Sequence, residues 1–462
     1  MRLAALCDRL NEPVSGASLN ALRIGFGALM AFSAVRFVAE GWVERFYGEP
    51  TWFFTYYGFD FVRPLPVAGM YALYVAMAAL GVAIAVGGRL YRPALAAFVL
   101  VFSYVELIDV TNYLNHYYLV TLLGLLLLVV PAHRPTVPRW AVWLLRFQIG
   151  VVYTFAALAK AGPDWLIHAQ PLNIWMSART ETPVIGPLLD LWWVALVMSW
   201  AGFLNDLLAP WLLAWRRTRP WMFAVIVVFH GFTGVFFQIG IFPILMVMGA
   251  TTFFAPDWPR RLRDRWRRWR GTASRVETSP TTRNPPIAPV APLGRFGLVA
   301  IAVWMAVQVV VPLRGWAYGG DVNWHEQGMR WSWRVMCREK NGAITYAVHF
   351  DGDRRHLVYP SRYLTPHQER EFSGQPDMIL QLAHQIGADY RAAGHDDVEV
   401  RVDALVSLNG RPPAPMIDPT VDLMEIRRGL ARADWILAPP PGPPIRLTPS
   451  RTLPTAALTE TP

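Results

Sequence analysis

The chain has 462 residues, of which 54% are hydrophobic and only 16% are charged. Soluble domains carry about 25% charged residues, so the composition argues against a water-soluble enzyme and excludes a disordered chain, a collagen-like chain and a disulfide-rich scaffold. The net charge is +10, but among the 43 basic residues only Lys160 and Lys340 are lysines.

Nine largely apolar runs predict a membrane protein, because a spanning helix needs about 20 such residues. They lie at 18–38, 67–86, 93–110, 116–131, 140–161, 187–215, 221–238, 240–256 and 294–313. The sixth run is overlong and is interrupted by Asn205, Asp206 and Pro210, so it predicts one tilted span or two short ones. The predicted fold is mainly α, a polytopic transmembrane helical bundle of about nine spans followed by a small α+β domain.

Arginines indicate the orientation of these spans. Lys and Arg accumulate in cytoplasmic loops, and with the N-terminal segment 1–17 inside, every short inner loop is basic. The inner loops then carry Arg89, Arg92, Arg134, Arg139, Arg216, Arg217, Arg219 and the dense run from Arg260 to Arg270. We therefore predict spans 1–8 within 18–256, a basic cytoplasmic loop at 257–293 and a last span at 294–313.

The basic run PRRLRDRWRRWR at 259–270 admits two interpretations. It is either a nucleic-acid patch or an anchor that rests on anionic lipid. In a chain this apolar the anchor is favoured, so we predict the lipid bilayer, and no nucleic acid, as a partner. Residues 271–292 are rich in Ser, Thr and Pro and predict a flexible linker.

Beyond the last span the composition becomes that of a soluble domain, predicted to be extracytoplasmic at 314–437. The alternating stretches 343–350 and 398–408 predict strands, and 365–372 and 376–394 predict helices, with Thr365 as an N-cap and Gly394 as a stop. The Pro-rich tail 438–462 predicts disorder. Cys7 and Cys337 fall on opposite sides of the membrane in this topology, so no disulfide is expected between them.

Lys160 is the most informative ionisable residue. It ends the fifth run, and Arg146, Tyr153 and Lys160 are spaced by seven, so they share one helix face. An ionisable group inside a span raises a functional hypothesis, because desolvation turns a buried lysine into a usable base near neutral pH. The alternative is a lysine that extends to the outer interface as an anchor.

Two histidines are further candidates. His116 opens the fourth run, and its spacing of four from Asn112 predicts that the two lie side by side on one helix; the alternative is an interfacial histidine among tyrosines. His230 lies in mid-span, where a helix–helix hydrogen bond competes with a functional role. Further intramembrane charges, at Arg23, Arg36, Glu106 and Asp109, are expected to pair structurally.

Several functional classes lack support in the sequence. Neither metal-ligand spacing nor a P-loop, a dinucleotide-binding glycine pattern or a nucleophile elbow occurs, so no metal cofactor is predicted. An ion-coupled transporter would require internal repeats with broken helices, and no convincing repeat is present.

An ordered set of motifs resembles the vitamin K-dependent gamma-carboxylase family and its bacterial relatives, whose membrane part is the HTTM domain. In the membrane part the similar segments are FTYYGFDFVRPLP (54–66), LNHYYLVTLL (114–123), LLRFQIGVVYTFAALAKAGPDW (144–165), FHGFTGVFFQIGIFP (229–243) and FFAPDWPRR (253–261). Beyond it they are DVNWHEQGMRWSWRVM (321–336), PDMILQLAHQI (376–386) and VDALVSLNGRPPAPMIDPTVDL (402–423). The resemblance covers about residues 18–425.

The resemblance implies an activity. A lysine amine would deprotonate reduced vitamin K (phylloquinone or menaquinone hydroquinone), and reaction with O2 would generate a strong base. That base would remove a γ-proton from a glutamate in a peptide or protein substrate, and the carbanion would capture CO2, giving γ-carboxyglutamate and vitamin K epoxide. By motif position the catalytic residues are Lys160 and His116.

The resemblance also implies binding residues. Cofactor contacts are expected from Asn115, Tyr153, Arg146, His230 and Met336. Substrate contacts are expected from Trp324, Arg338, Asn409 and Arg411. Two alternatives remain open: a quinol epoxidase without carboxylation, and a non-catalytic HTTM membrane module that binds a peptide or lipid partner. The chain is expected in the bacterial inner membrane.

Overall fold

A computed structural model describes residues 2–237, 239–270 and 292–446. The chain divides into two compact units, the first formed by Met1–Thr154 and Leu208–Leu313 and the second by Phe155–Leu207 and Arg314–Pro462. The predicted linker at 271–292 lies outside the described residues except for its last position, and so does the tail from 447 onward.

The first unit is helical, with one small sheet. Among the described residues, eight helices lie wholly in this unit: α1 (Arg2–Asn11), α2 (Ala17–Ala39), α3 (Val67–Val86), α4 (Tyr91–Ile108), α5 (Asn115–Val129), α11 (Arg219–Phe236), α12 (Phe242–Ala250) and α13 (Trp258–Trp269). Three more helices are shared with the second unit, and this unit contains most of α6 (Arg139–Lys160), the end of α10 (Trp192–Ala214) and most of α14 (Arg295–Ala317). Two short antiparallel strands, β1 (Pro13–Ser15) and β2 (Thr136–Pro138), tie the segment before α2 to the segment before α6.

Each of the nine predicted apolar runs coincides with a helix. Seven helices are long and apolar enough to cross a membrane, among the residues that the structure describes. The other two runs correspond to shorter apolar helices, Asn115–Val129 and Phe242–Phe253. The overlong sixth run forms one helix, α10, with Pro210 inside it. The predicted helical membrane fold is confirmed.

Close packing of α2 against α3 depends on glycine. A Cβ atom on Gly27 would lie 2.5 Å from the carbonyl oxygen of Gly81, and one on Gly81 would lie 2.7 Å from the amide nitrogen of Ala31. Small residues that let two backbones approach are a common way to pack membrane helices. On α14, by contrast, Phe296 and Val299 are mostly exposed, which in a membrane means contact with lipid.

The intramembrane charges do not all pair as predicted. Arg23 is buried, but its guanidinium donates to the backbone carbonyl oxygens of Ile84 and Ala85, the latter at 2.9 Å. Asp109 accepts a hydrogen bond from the backbone N–H of Thr111 at 2.9 Å. The Arg23 guanidinium thus satisfies backbone carbonyl oxygens, as a charged side chain inside a membrane bundle often does.

The second unit contains the predicted α+β domain. Its four-stranded antiparallel sheet has the order β4 (Arg354–Val358), β3 (Lys340–Phe350), β5 (Glu399–Leu408) and β6 (Ala414–Pro415). The remaining helices are the end of α6, α7 (Pro163–Leu166), α8 (Leu172–Ser177), α9 (Gly186–Leu189), most of α10, the end of α14, α15 (Val322–His325), α16 (Pro366–Phe372) and α17 (Pro376–Ala392). Helix α17 packs on the sheet, and the Tyr346 hydroxyl donates to the carbonyl oxygen of Ile379 at 2.8 Å.

The predicted helix boundaries in this domain are confirmed. Thr365 caps α16 in a capping box, in which Gln368 donates from its backbone N–H and accepts through its side chain. Helix α17 ends at Ala392, and Gly394 has a φ of +89°, which is the left-handed conformation that glycine adopts at least cost.

The first part of the predicted disordered tail, 438–446, makes specific contacts. The carbonyl oxygen of Gly442 accepts a hydrogen bond from Arg411 Nε at 3.0 Å. The carbonyl oxygen of Ile445 accepts one from Gln170 Nε2 at 3.0 Å, and the guanidinium of Arg446 lies 4.0 Å from the centre of the Trp192 ring. The composition of the tail does not reveal these contacts, because the partners lie far away in the sequence.

Candidate active site

Lys160 forms a buried ion pair in the second unit. It ends α6, and its Nζ donates to Asp206 Oδ2 on α10 at 3.0 Å and to the carbonyl oxygen of Ala156 at 3.3 Å. The side chains of Lys160 and Asp206 are only 7% and 8% exposed. Lys160 is thus held inside the protein, so the alternative of an anchor at the outer interface is wrong.

Neighbouring groups fix both partners of this pair. Asn205 Nδ2 donates to Asp206 Oδ1 at 3.1 Å, so both oxygens of that carboxylate are used. The indole ring of Trp165 lies with its centre 5.4 Å from Lys160 Nζ, within the range of a cation–π contact. The Trp165 Nε1–H donates to the carbonyl oxygen of Ser199 at 2.8 Å, and the Ser199 hydroxyl donates to the carbonyl oxygen of Trp165.

Cys337 is buried, and the charge of Lys160 affects the pKa of its thiol. Burial raises the pKa of the Cys337 thiol, while the charges of Lys160 and Arg334 oppose that rise. Both cysteines, Cys7 and Cys337, are free. Met336, predicted as a cofactor contact, precedes Cys337 and has a left-handed backbone with a φ of +55°.

Two predicted substrate residues are held by a carboxylate of the same unit. Arg411 donates through both terminal nitrogens to Asp164, each at 2.6 Å, and Asn409 Nδ2 donates to the same carboxylate at 2.8 Å. Burial by itself raises the pKa of Asp164, but the hydrogen bonds from Arg411 and Asn409 and the charge of Arg411 outweigh it and lower that pKa below its usual value. The contact fastens the segment just after Lys160 to the end of β5.

The other two predicted substrate residues surround the second lysine. Trp324 is buried, and its Nε1–H donates to the carbonyl oxygen of Leu437 at 2.8 Å. Arg338 lies 3.0 Å from the Glu326 carboxylate, and Lys340 Nζ lies 3.1 Å from the same oxygen. Lys340 Nζ also donates to the carbonyl oxygen of Trp324 at 2.7 Å.

In the first unit, three of the predicted residues gather around Phe242. The rings of His116 and His230 each lie with their centres 5.9 Å from the Phe242 ring. His230 Nε2 and the Tyr153 hydroxyl are 3.1 Å apart, so the helix–helix hydrogen bond considered as the alternative for His230 is present. Both histidines are buried.

The predicted pairing of Asn112 with His116 on one helix is wrong. The Asp109 side chain caps a short 3-10 turn at Val110–Asn112. The backbone of Leu114 is extended, and α5 begins only at Asn115. The Asn115 side chain accepts a hydrogen bond from the Tyr113 hydroxyl at 3.2 Å.

Arg146 has structural partners. Its Nε donates to the carbonyl oxygen of Thr252 at 2.8 Å and its terminal nitrogen donates to that of Phe254 at 3.0 Å. These bonds join α6 to the segment after α12, so the guanidinium satisfies carbonyl oxygens at the end of a helix.

Each unit holds a buried polar atom suited to a small polar ligand group. Among the described residues, His230 Nδ1 and Asn205 Oδ1 have no hydrogen-bond partner. A buried polar atom without a partner costs about 1–3 kcal/mol, and a hydroxyl group of a bound molecule would remove that cost. In the first unit the centre of the Phe242 ring lies 5.9 Å from that of the His230 ring, so His230 fits an aromatic, lipid-soluble molecule that carries a hydroxyl group.

Sequence reasoning missed two carboxylates. The sequence alone indicates Asp206 only as an interruption of the sixth apolar run and indicates no role for Asp164. The available signal for Asp206 was an acidic residue inside an apolar run, for which a buried cationic partner is the usual explanation.

The comparisons with known proteins cover most of the chain. The HTTM domain family matches residues 11–258. The family described as "Vitamin K-dependent gamma-carboxylase, lumenal domain" matches residues 294–440. No solved structure matches the chain. With the helical membrane part and the α+β domain in this order, the chain belongs to the vitamin K-dependent gamma-carboxylase family.

Proposed function

We propose that this chain is an integral membrane, vitamin K quinol-dependent gamma-glutamyl carboxylase, in which Lys160 is the base that accepts a proton from the quinol. The observation that carries the proposal is the buried pair of Lys160 with Asp206, at 3.0 Å. The match to the carboxylase lumenal domain supports it. When bound, reduced vitamin K would supply an acidic hydroxyl group and, with O2, the oxidation that is coupled to capture of CO2.

Asp206 gives Lys160 a way to act as a base although it is paired. A single proton shared between Nζ and Oδ2 has two neutral arrangements, an ammonium with a carboxylate or an amine with a carboxylic acid. In the second arrangement the lone pair of Nζ can accept a proton. Asn205 holds the other carboxylate oxygen, and Trp165 shields Nζ from water. We therefore propose Asp206 as a positioning residue for Lys160.

His116 is proposed as a second catalytic residue on its motif position. His230 and Tyr153 are proposed to bind the quinol, supported by the partnerless Nδ1 atom of His230. A neutral imidazole can donate through one nitrogen and accept through the other, so His230 can bind Tyr153 and a quinol hydroxyl at the same time. Asn115, Met336 and Arg146 are proposed as cofactor contacts on their motif positions alone, and the partners described for Asn115 and Arg146 are structural.

One observation favours the alternative of a quinol epoxidase that does not carboxylate a peptide. Arg411 and Asn409, the proposed contacts of the substrate glutamate, already bind the Asp164 carboxylate. A substrate carboxylate would have to displace Asp164 or bind elsewhere, at Arg338 and Trp324 for example.

One incubation separates these functions. Purified protein is supplied with reduced phylloquinone or menaquinone, O2, bicarbonate and a Glu-containing peptide, and the epoxide and carboxyglutamate are measured separately by mass spectrometry. Both products are expected. Epoxide without carboxyglutamate would establish the epoxidase alternative, and the absence of both products would leave the non-catalytic membrane module.

The topology is a proposal of its own. We propose a bacterial inner-membrane protein with a cytoplasmic N-terminus and nine spans, supported by the arginines of the inner loops. A periplasmic reporter fused after residue 430 should be active, and the same reporter fused at Arg217 should be silent. The opposite pattern would overturn the orientation.

A further inference from the structure

A basic cavity lies in the first unit, and neither Lys160 nor His116 is among its lining residues. It has a volume of about 320 Å³, within the range of small-molecule sites. Five arginines line it together with Trp143: Arg139, Arg146, Arg216, Arg219 and Arg261. Among its lining residues, all within the described part of the chain, there is no carboxylate.

Nearby acids neutralise only part of this charge. Arg139 pairs with Glu12 at 2.6 Å, and Arg261 pairs with Asp257 at 2.7 Å. Arg219 donates to the neutral carbonyl oxygens of Leu213 and Ala214, as Arg146 does to others. Five positive charges less two carboxylates leave a net charge of +3 around one cavity.

The lining comes from the ends of membrane-spanning helices. Arg139 and Trp143 belong to the first turns of α6, whereas Arg216 lies in the turn before α11 and Arg219 is the first residue of α11. Trp143 is about half exposed, and tryptophan at a helix end is typical of the level of lipid headgroups. Arg261 comes from α13, the basic helix predicted to rest on lipid.

We propose that this cavity binds the phosphodiester headgroup of an anionic phospholipid. Guanidinium groups form two parallel hydrogen bonds to phosphate oxygens, and basic pockets between transmembrane helices at the cytoplasmic side suit such headgroups. The lipid chains would follow the apolar surface below Trp143. The site would hold α13 and the turn before α11 together through a lipid of the inner leaflet.

The test is the retention of phospholipid by the purified full chain in neutral detergent. Native mass spectrometry would compare phosphatidylglycerol with phosphatidylcholine, and inorganic phosphate would be added as a competitor. Wild type should retain phosphatidylglycerol in preference to phosphatidylcholine. Arg216→Gln with Arg261→Gln should lower that retention by about tenfold or more, the equivalent of one charge-assisted hydrogen bond.

A matched control also loses two positive charges, both of them on α13. Arg265→Gln with Arg268→Gln, outside the cavity lining, should retain phosphatidylglycerol as wild type does, and Arg216→Lys with Arg261→Lys should restore part of the retention. Equal retention of both lipids, or equal loss in both Gln variants, would overturn the cavity site. Full displacement of the bound phosphatidylglycerol by millimolar inorganic phosphate would contradict the lipid proposal and would indicate a site for a free anion instead. The melting temperature without added lipid identifies a variant that fails to fold.

Discussion

The two lysines of the chain occupy surroundings that are almost the same at short range. Each is buried in the second unit, each pairs with a carboxylate, at 3.0 Å for Lys160 and 3.1 Å for Lys340, and each donates to a backbone carbonyl. Each also lies near an indole ring, with Trp165 at 5.4 Å and Trp324 at 5.7 Å.

The difference lies in the carboxylate partner. The Asp206 carboxylate pairs with Lys160 and accepts a hydrogen bond from the Asn205 amide, whereas the Glu326 carboxylate pairs with both Lys340 and Arg338. Burial lowers the pKa of Lys340 to about 8, with Glu326 opposing that shift and Arg338 adding to it. Lys340 also begins a strand of the domain beyond the last span, whereas Lys160 ends a helix long and apolar enough to cross the membrane.

Burial and a carboxylate partner therefore do not by themselves identify a catalytic lysine. What distinguishes Lys160 is its place at the end of a helix long and apolar enough to cross a membrane, together with a family motif. Lys340 therefore serves as an internal control for every experiment on Lys160.

The largest expected effect comes from removing the amine. Lys160→Ala should lower quinol epoxidation by about 10²-fold or more, the usual contribution of a positioned base, and a small primary amine added to the assay should restore part of the rate. The epoxidation rate of Lys340→Ala should not change when the amine is added. Rescue of both variants, or of neither, would break the distinction between the two lysines.

The carboxylate partners give the next effect. Asp206→Asn should lower the epoxidation rate about tenfold, since it removes an ionic partner while keeping the shape, and it should alter the pH profile of the rate. Glu326→Gln, the matched change at Lys340, should leave the pH profile unchanged. A profile that moves equally in both variants would contradict the positioning role of Asp206.

The ion pair of Asp164 with Arg411, which holds the segment after Lys160, is expected to contribute to the free energy of unfolding. Asp164→Asn weakens a hydrogen-bonded ion pair whose side chains are 22% and 14% exposed, so we expect a loss of about 2 kcal/mol and a lower melting temperature. Asp434→Asn changes an exposed pair at 3.7 Å and should have almost no effect. Equal losses would show that burial does not determine the value of these pairs.

The sequence predicted those features that depend on neighbouring residues. The strands, the Thr365 cap and the Gly394 stop follow from patterns within a few residues, and the apolar runs follow from length. The partners of Lys160 and Arg411 could not be predicted in this way, because Asp206 lies 46 positions from Lys160 and Asp164 lies 247 positions from Arg411 along the chain. The pairing of Asn112 with His116 failed since a spacing of four implies contact only within one helix, and Asp109 starts a turn there instead.

A smaller effect is expected at the Thr365 cap, in the domain that contains Lys340. Thr365→Ala removes the acceptor for the Gln368 N–H, at 3.3 Å, and should lower the free energy of unfolding by about 1 kcal/mol. Thermal unfolding would measure the loss. Thr365→Ser is the control and should stay close to wild type, and a change in epoxidation rate in either variant would contradict the separation of this region from the catalysis.

The smallest effect is a pH dependence at Lys340. Its pKa is about 8 when folded and near 10.4 when unfolded, so between those values the unfolded chain binds more protons and stability rises with pH. Between pH 8 and 9 the wild type should gain up to about 1 kcal/mol, which Lys340→Met should lack. Melting temperatures across this range would measure it, and parallel curves would contradict the lowered pKa.

We propose that the amine of Lys160, and not its positive charge, serves the reaction. The most direct test is the initial rate of vitamin K epoxide formation by Lys160→Arg beside Lys340→Arg, in purified protein at saturating quinol. Arginine keeps the positive charge but cannot lose its proton in a protein. We predict that Lys160→Arg is as inactive as Lys160→Ala while Lys340→Arg stays within a few-fold of wild type. Epoxide formation by Lys160→Arg at the wild-type rate would contradict the role of Lys160 as the base.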